Sequence, residues 1–84
     1  MAGERRLGAV AIVIEDRKQA APVVNEILSS YAEIIIGRLG VPYHEKNVSV
    51  ICLVVDGTAD EVGALAGKIG GIAGVRVKSA LTSR

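Results

Sequence analysis

Arg38, Tyr43 and His44 are the residues of this chain best suited to recognition chemistry, and they fall within one short stretch. An arginine guanidinium holds a carboxylate or phosphate through two parallel charge-assisted hydrogen bonds. A tyrosine ring stacks while its hydroxyl bonds, and a histidine changes charge near neutrality. Asp16 and Arg17 add an acid and a base at the end of the first apolar run. Asp16, Arg17, Arg38, Tyr43 and His44 therefore form a candidate effector-binding set around an otherwise aliphatic body. Intersubunit salt bridges or solvated turn charges are the commoner use of such groups.

Catalysis is less well provided for. Ser29, Ser30 and Ser49 have no His and acid nearby in sequence to activate them. His44 beside Glu45 has the character of a hydrated loop pair rather than a general base. His44 and Cys52 are the only soft metal ligands, and two donors fall short of the four a closed site needs. Neither a metal nor a cofactor is expected from one chain, although copies in an oligomer could pool these ligands as a metal sensor would. Cys52 itself is read as a buried, inert packing residue. The stretch Gly63-Ala-Leu-Ala-Gly67-Lys68 has a phosphate-loop flavour. Its glycines are too close together, Ile69 stands where a Ser or Thr would hold magnesium, and the segment reads as helix interior. The expectation is a protein that is not an enzyme.

Composition narrows the class further. Eighty-four residues suit one domain with a small core. Half of them are hydrophobic, with no Phe or Trp and two Tyr, so Val, Ile, Leu and Ala must build that core. Ten basic residues against nine acidic ones give no concentrated basic face, and direct DNA binding is not expected. Cys52 has no cysteine to pair with. Met1 to Arg6 is too short and polar for a signal peptide, and no apolar run is long enough to span a bilayer. The reading is a cytoplasmic protein with no membrane association, a disordered tail over 1–6 and a single domain over 7–82.

The elements that must position the candidate residues follow from periodicity. Val48 to Gly57 and Leu7 to Ile14 are apolar on both alternating faces, the mark of central strands. Val24, Ile27, Leu28 and Tyr31 share one helical face, with Pro22, Asn25 and Ser29 opposite. Pro22 inside a helix costs about 3 kcal/mol, so either a kink or a helix starting near Ala21 is expected. Ile34-Ile35-Ile36 favours a strand, less buried near Arg38, and Val41 to Asn47 has the composition of a loop. Thr58 and Glu61 form a capping box. The helix they open carries Val62, Leu65, Ala66, Ile69 and Ile72 on one stripe and Gly63, Gly67 and Gly70 on another. Each interior glycine costs about 1 kcal/mol relative to alanine, so a close neighbour is expected along that flank. Val75 to Thr82 alternates as a half-exposed edge strand.

The order strand-helix-strand-strand-helix-strand leads to an α+β ferredoxin-like βαββαβ sandwich. Its sheet has four antiparallel strands, with two helices on one face. The doubly apolar runs fall on the central strands, and Arg38, Arg76 and Lys78 fall on the edges. The face without helices would leave about six aliphatic side chains side by side, near the limit that monomers expose. A homo-oligomer, dimer or tetramer, formed through the sheets is expected, by edge pairing or by face-to-face stacking.

Several segments carry a family resemblance. G-R-L-G-V-P-Y at Gly37 to Tyr43, V-S-V-I-C-L-V-V-D-G-T-A-D-E-V-G-A-L-A-G-K-I-G at Val48 to Gly70 and G-V-R-V-K-S at Gly74 to Ser79 resemble the iron-only hydrogenase system regulators. Glu15 to Arg17 and Asn25 to Leu28 fit the same pattern. The resemblance implies an ACT-like domain, similar to the C-terminal effector domain of nickel-responsive repressors and to amino-acid-sensing domains. It also implies a regulatory role, with a small-molecule effector at a subunit interface and a partner protein to receive the signal. This sequence departs from those repressors in lacking their several metal-binding histidines and any DNA-reading module before the first strand. The runner-up is a purely structural oligomerisation module without ligand.

Overall fold

The computed structural model describes residues 3–15 and 17–82. Its elements are β1 (Arg6–Ile14), α1 (Arg17–Ser30), β2 (Ile35–Tyr43), β3 (Val48–Gly57), α2 (Ala59–Gly70) and β4 (Val75–Leu81). Short 3-10 turns at Ala32–Ile34 and His44–Lys46 introduce β2 and link it to β3. The four strands form one sheet in the order β2-β3-β1-β4, every neighbouring pair antiparallel. The two runs that are apolar on both faces are thus the central pair. This is the α+β ferredoxin-like arrangement the strand and helix order calls for, and the ACT-like fold the family resemblance implies.

One face of the sheet carries the core. Val10, Ile12 and Ile14 of β1 and Ile51, Leu53 and Val55 of β3 pack against Ala20, Val24 and Leu28 of α1 and Val62, Leu65 and Ile69 of α2. Among the described residues every buried side chain is aliphatic, and no buried polar side chain interrupts them. Burying each of the larger ones contributes on the order of 1.5–3 kcal/mol. Among the described residues no helix is long and apolar enough to cross a membrane.

The helices start for different reasons. At α2 the Thr58 hydroxyl accepts from the Glu61 amide at 3.1 Å, and the Glu61 carboxylate accepts from the Thr58 amide at 2.9 Å. The capping box satisfies two amides the first turn would leave free. The hydrogen bond from the Thr58 amide is the main influence holding the Glu61 carboxyl below its usual range, with the Thr58 hydroxyl and the Arg5 guanidinium acting in the same sense. α1 begins at Arg17 rather than near Ala21, and Pro22 lies inside it. Pro22 points outward, and the carbonyl it leaves without a donor belongs to exposed Lys18 in the first turn. Water can satisfy that carbonyl, while the extra turn buries Ala20 beside Val24 and Leu28.

β2 is longer than composition suggests. It runs to Tyr43 and takes in Val41 and Pro42, which read as loop in the sequence. As an edge strand it tolerates a residue without an N–H, and its pairing with β3 holds from Gly37↔Val54 to Tyr43↔Val48. An irregularity between Ile35 and Gly37 shifts the register. Asn47, at φ 55°, closes the connection in the left-handed conformation asparagine tolerates. At the other end of the sheet, β1 begins at Arg6, one residue before the boundary drawn from sequence. Just ahead of it, Arg5 lies 3.6 Å from the Asp56 carboxylate and 4.0 Å from Glu61.

The close neighbour expected along the glycine stripe of α2 exists at one position only. A Cβ on Gly70 would meet Val77 at 3.0 Å, whereas Gly63 and Gly67 face open space. Gly63→Ala and Gly67→Ala should each raise stability by about 0.5–1 kcal/mol, measured by urea denaturation. Destabilisation instead would reveal a neighbouring copy packed on that flank.

Candidate functional site

The strand register decides which candidate residues meet. Ile14 at the end of β1 pairs with Ser49 of β3 and Val75 of β4, and Ser49 pairs with Pro42 of β2. The β1–α1 turn and the β2–β3 connection therefore emerge at the same end of the sheet. That end carries Tyr43, His44, Glu15 and Arg17, the first residue of α1. Asp16 lies outside the described residues, as does the Arg17 side chain. Glu15 is held there by Arg76 at 3.2 Å, an ion pair between the residue after β1 and β4 that nothing in their spacing along the chain foretells. Only register places these two side by side.

Arg38 belongs elsewhere. It pairs with buried Leu53 and so points to the helix side of the sheet, where it donates to Asn25 Oδ1 of α1 at 2.9 Å. Tyr43 pairs with Val48 on the opposite face, roughly 16 Å further along the strand by the usual rise per residue. Within one copy, Arg38 and the Tyr43–His44 pair do not share a small ligand. Arg38 acts as a strut between β2 and α1.

His44 and Cys52 are also apart. Cys52 sits in mid-strand opposite Ala11 and Leu39, while His44 follows the end of β2. No group of three metal-ligating side chains comes together among the described residues. Cys52 is exposed rather than buried, because it faces the side of the sheet that carries no helix.

That open face is the largest feature outside the core. Three rows cross it: Gly37, Val54, Ala9 and Ala80; then Leu39, Cys52, Ala11 and Lys78; then Val41, Val50, Val13 and Arg76. Ile36, Leu39, Val41, Tyr43, Val54 and Leu7 are each between 42% and 62% exposed. Side by side, they form a contiguous apolar patch of the kind that marks an interaction surface. Sequence alternation pointed to β1 and β3 here; the contribution of β2 was hidden by its glycines and proline.

Residues 6–79 match the model of the TM1266-like family, described as "Iron-only hydrogenase system regulator, putative". Among solved structures, the uncharacterized protein TM1266 from Thermotoga maritima is 44% identical, with a TM-score of 0.91 over 95% of this chain and 100% of that one. The ACT domain of a GTP pyrophosphokinase from Chlorobium tepidum is 17% identical, with a TM-score of 0.69 over 95% of this chain and 89% of that one. An unknown protein from Galdieria sulphuraria is 11% identical at a TM-score of 0.69, covering 96% of this chain and 47% of that one. The latter two share the fold. No curated protein matches the chain.

Proposed function

Because the chain belongs to the TM1266-like family of iron-only hydrogenase system regulators, we propose that it is a non-enzymatic regulatory module that binds a small effector where copies of the chain meet. The reading rests on the polar end of the sheet, from which both the β1–α1 turn and the Tyr43–His44 connection emerge. Tyr43 and His44 supply a ring and an imidazole at that end, and in the sequence the turn adds an acid at Asp16 and a base at Arg17. That combination suits a small zwitterion or anion better than an apolar ligand. Arg38, engaged by Asn25, braces β2 behind it. The ACT-like fold supports a sensing role, and a partner protein receives the change.

Thermal melts against a panel of amino acids, nucleotides and divalent metals test the proposal. One class should raise Tm saturably. At a hundredfold excess over Kd the gain is about 2.7 kcal/mol, or roughly 10–20 °C for a domain of this size. Tyr43→Ala and His44→Ala should abolish that gain without unfolding the protein, since both residues are exposed. A panel that moves nothing would favour a purely structural module.

A further inference from the structure

We propose that the open sheet face is covered by a second copy of this chain, stacked face to face about a two-fold axis running along the strands. β3 of each copy then lies over β1 of its partner, and β2 lies over β4. The proposal rests on the reading of this protein as a homo-oligomer and specifies how its copies meet.

Three observations carry it. The first is area: five large apolar side chains on this face, Leu7, Leu39, Val41, Tyr43 and Val54, are 42–62% exposed, a patch of the size that marks an interaction surface, and a stable pair buries roughly 800 Å² on each partner. The second is volume. On the open face β1 presents small Ala9 and Ala11, while β3 presents Val54 and Cys52 in the same rows. A two-fold axis along the strands keeps each row over itself but reverses it. Val54 then lies over the partner copy of Ala9, and Cys52 over that of Ala11. Val54 fills the space above Ala9, the small Cys52 and Ala11 stack closely, and Val50 meets Val13 with sizes matched, which suits packing at about 10 Å between sheets. An axis across the strands would instead set β3 over β3 and β1 over β1, crowding one pair and leaving a gap at the other. The third is charge. Along β2 the face is uncharged, with Leu39, Val41 and Tyr43, whereas β4 presents Lys78 and Arg76. Reversing the rows lays the aliphatic stems of Lys78 and Arg76 over Leu39 and Val41, and the charged ends reach water at the margin. The other axis brings basic margin to basic margin. The favoured axis also keeps the Tyr43–His44 ends of both copies at one end of the assembly.

Sedimentation of the wild-type chain at micromolar concentration should show a dimer or a multiple of it. Val54→Lys should weaken association at least about 100-fold by placing a charge in the apolar centre. Val54 is half exposed and outside the core, so the variant should keep the wild-type circular dichroism spectrum. Orientation is read by cross-linking in a Cys52→Ser background. Leu39→Cys and Lys78→Cys lie on opposite edges of one sheet, three strand spacings or roughly 14 Å apart, too far to join within a chain. A short thiol–thiol cross-linker should join the two variants when mixed and neither one to itself.

Self-linking of Leu39→Cys without mixed products overturns the orientation. A wild-type oligomer that survives Val54→Lys unchanged overturns stacking in favour of edge pairing, and leaves effector binding at an interface standing. A wild-type monomer overturns stacking outright. If that monomer still gains Tm with an effector, binding holds and only the interface has failed.

Discussion

Gly8→Ala should be the most damaging small substitution in the protein, lowering stability by about 3 kcal/mol or more and Tm by roughly 12–24 °C. The end of β4 closes over Gly8. A Cβ there would collide with the Ala80 carbonyl oxygen and lie 2.6 Å from a methyl of Leu81. The first of these is backbone, which cannot swing aside as a long side chain can. β1 and β4 must separate around the Gly8↔Leu81 pair, and the hydrogen bond from the Thr82 amide to the Leu7 carbonyl, 2.9 Å long, goes with them. Urea denaturation measures the loss. A change below about 1 kcal/mol would mean that β4 frays from Gly8 in solution.

Ile12→Ala should come next, at about 3 kcal/mol within the 2–5 kcal/mol span for truncating buried isoleucine. Ile12 has no exposed surface. It sits at the centre of β1, paired with Ile51 and Val77. Val13→Ala, one residue on and on the open face, should cost under about 1 kcal/mol in the monomer. The pair of measurements separates the two faces of one strand. Equal losses would show that the open face is as well packed in solution as the core.

The fold was legible where several signals agreed. β1 and β3 are apolar on both faces, α2 has its capping box at Thr58 and Glu61, and β4 alternates. Each of these is local physics that tertiary contacts reinforce. Legibility failed where a local preference was outweighed. Pro22 argues against a helix before Ala21, yet burial of Ala20 and an exposed first turn carry α1 back to Arg17. Gly37, Gly40 and Pro42 argue against a strand, yet β3 offers a partner along the whole of β2. The candidate site divides in the same way. Residue type picked out Tyr43, His44 and the β1–α1 turn, but only register shows that they share an end of the sheet. Only the parity of β2 shows that Arg38 faces the helices. Cys52 looked buried because its neighbours in sequence are aliphatic, although alternate residues of a strand face opposite ways.

β1 bonds to β3 and β4 and to no nearer strand, and this bears on how the chain survives before it is folded. Both pairings join residues far apart in sequence, such as Val10 with Leu53 and with Ser79, which makes folding slow for a domain this small. During synthesis β1 waits ~2–8 s for β3 to be made, at the usual elongation rates. Throughout that interval Leu7 to Ile14 is an unpaired β-branched segment of the kind that aggregates. Arg5 and Arg6 stand before it, and Glu15, Asp16, Arg17 and Lys18 stand after it. Charges in those positions act as gatekeepers, opposing the stacking of nascent strands on one another. The charged turn proposed to meet an effector thus also protects the chain while it has no fold.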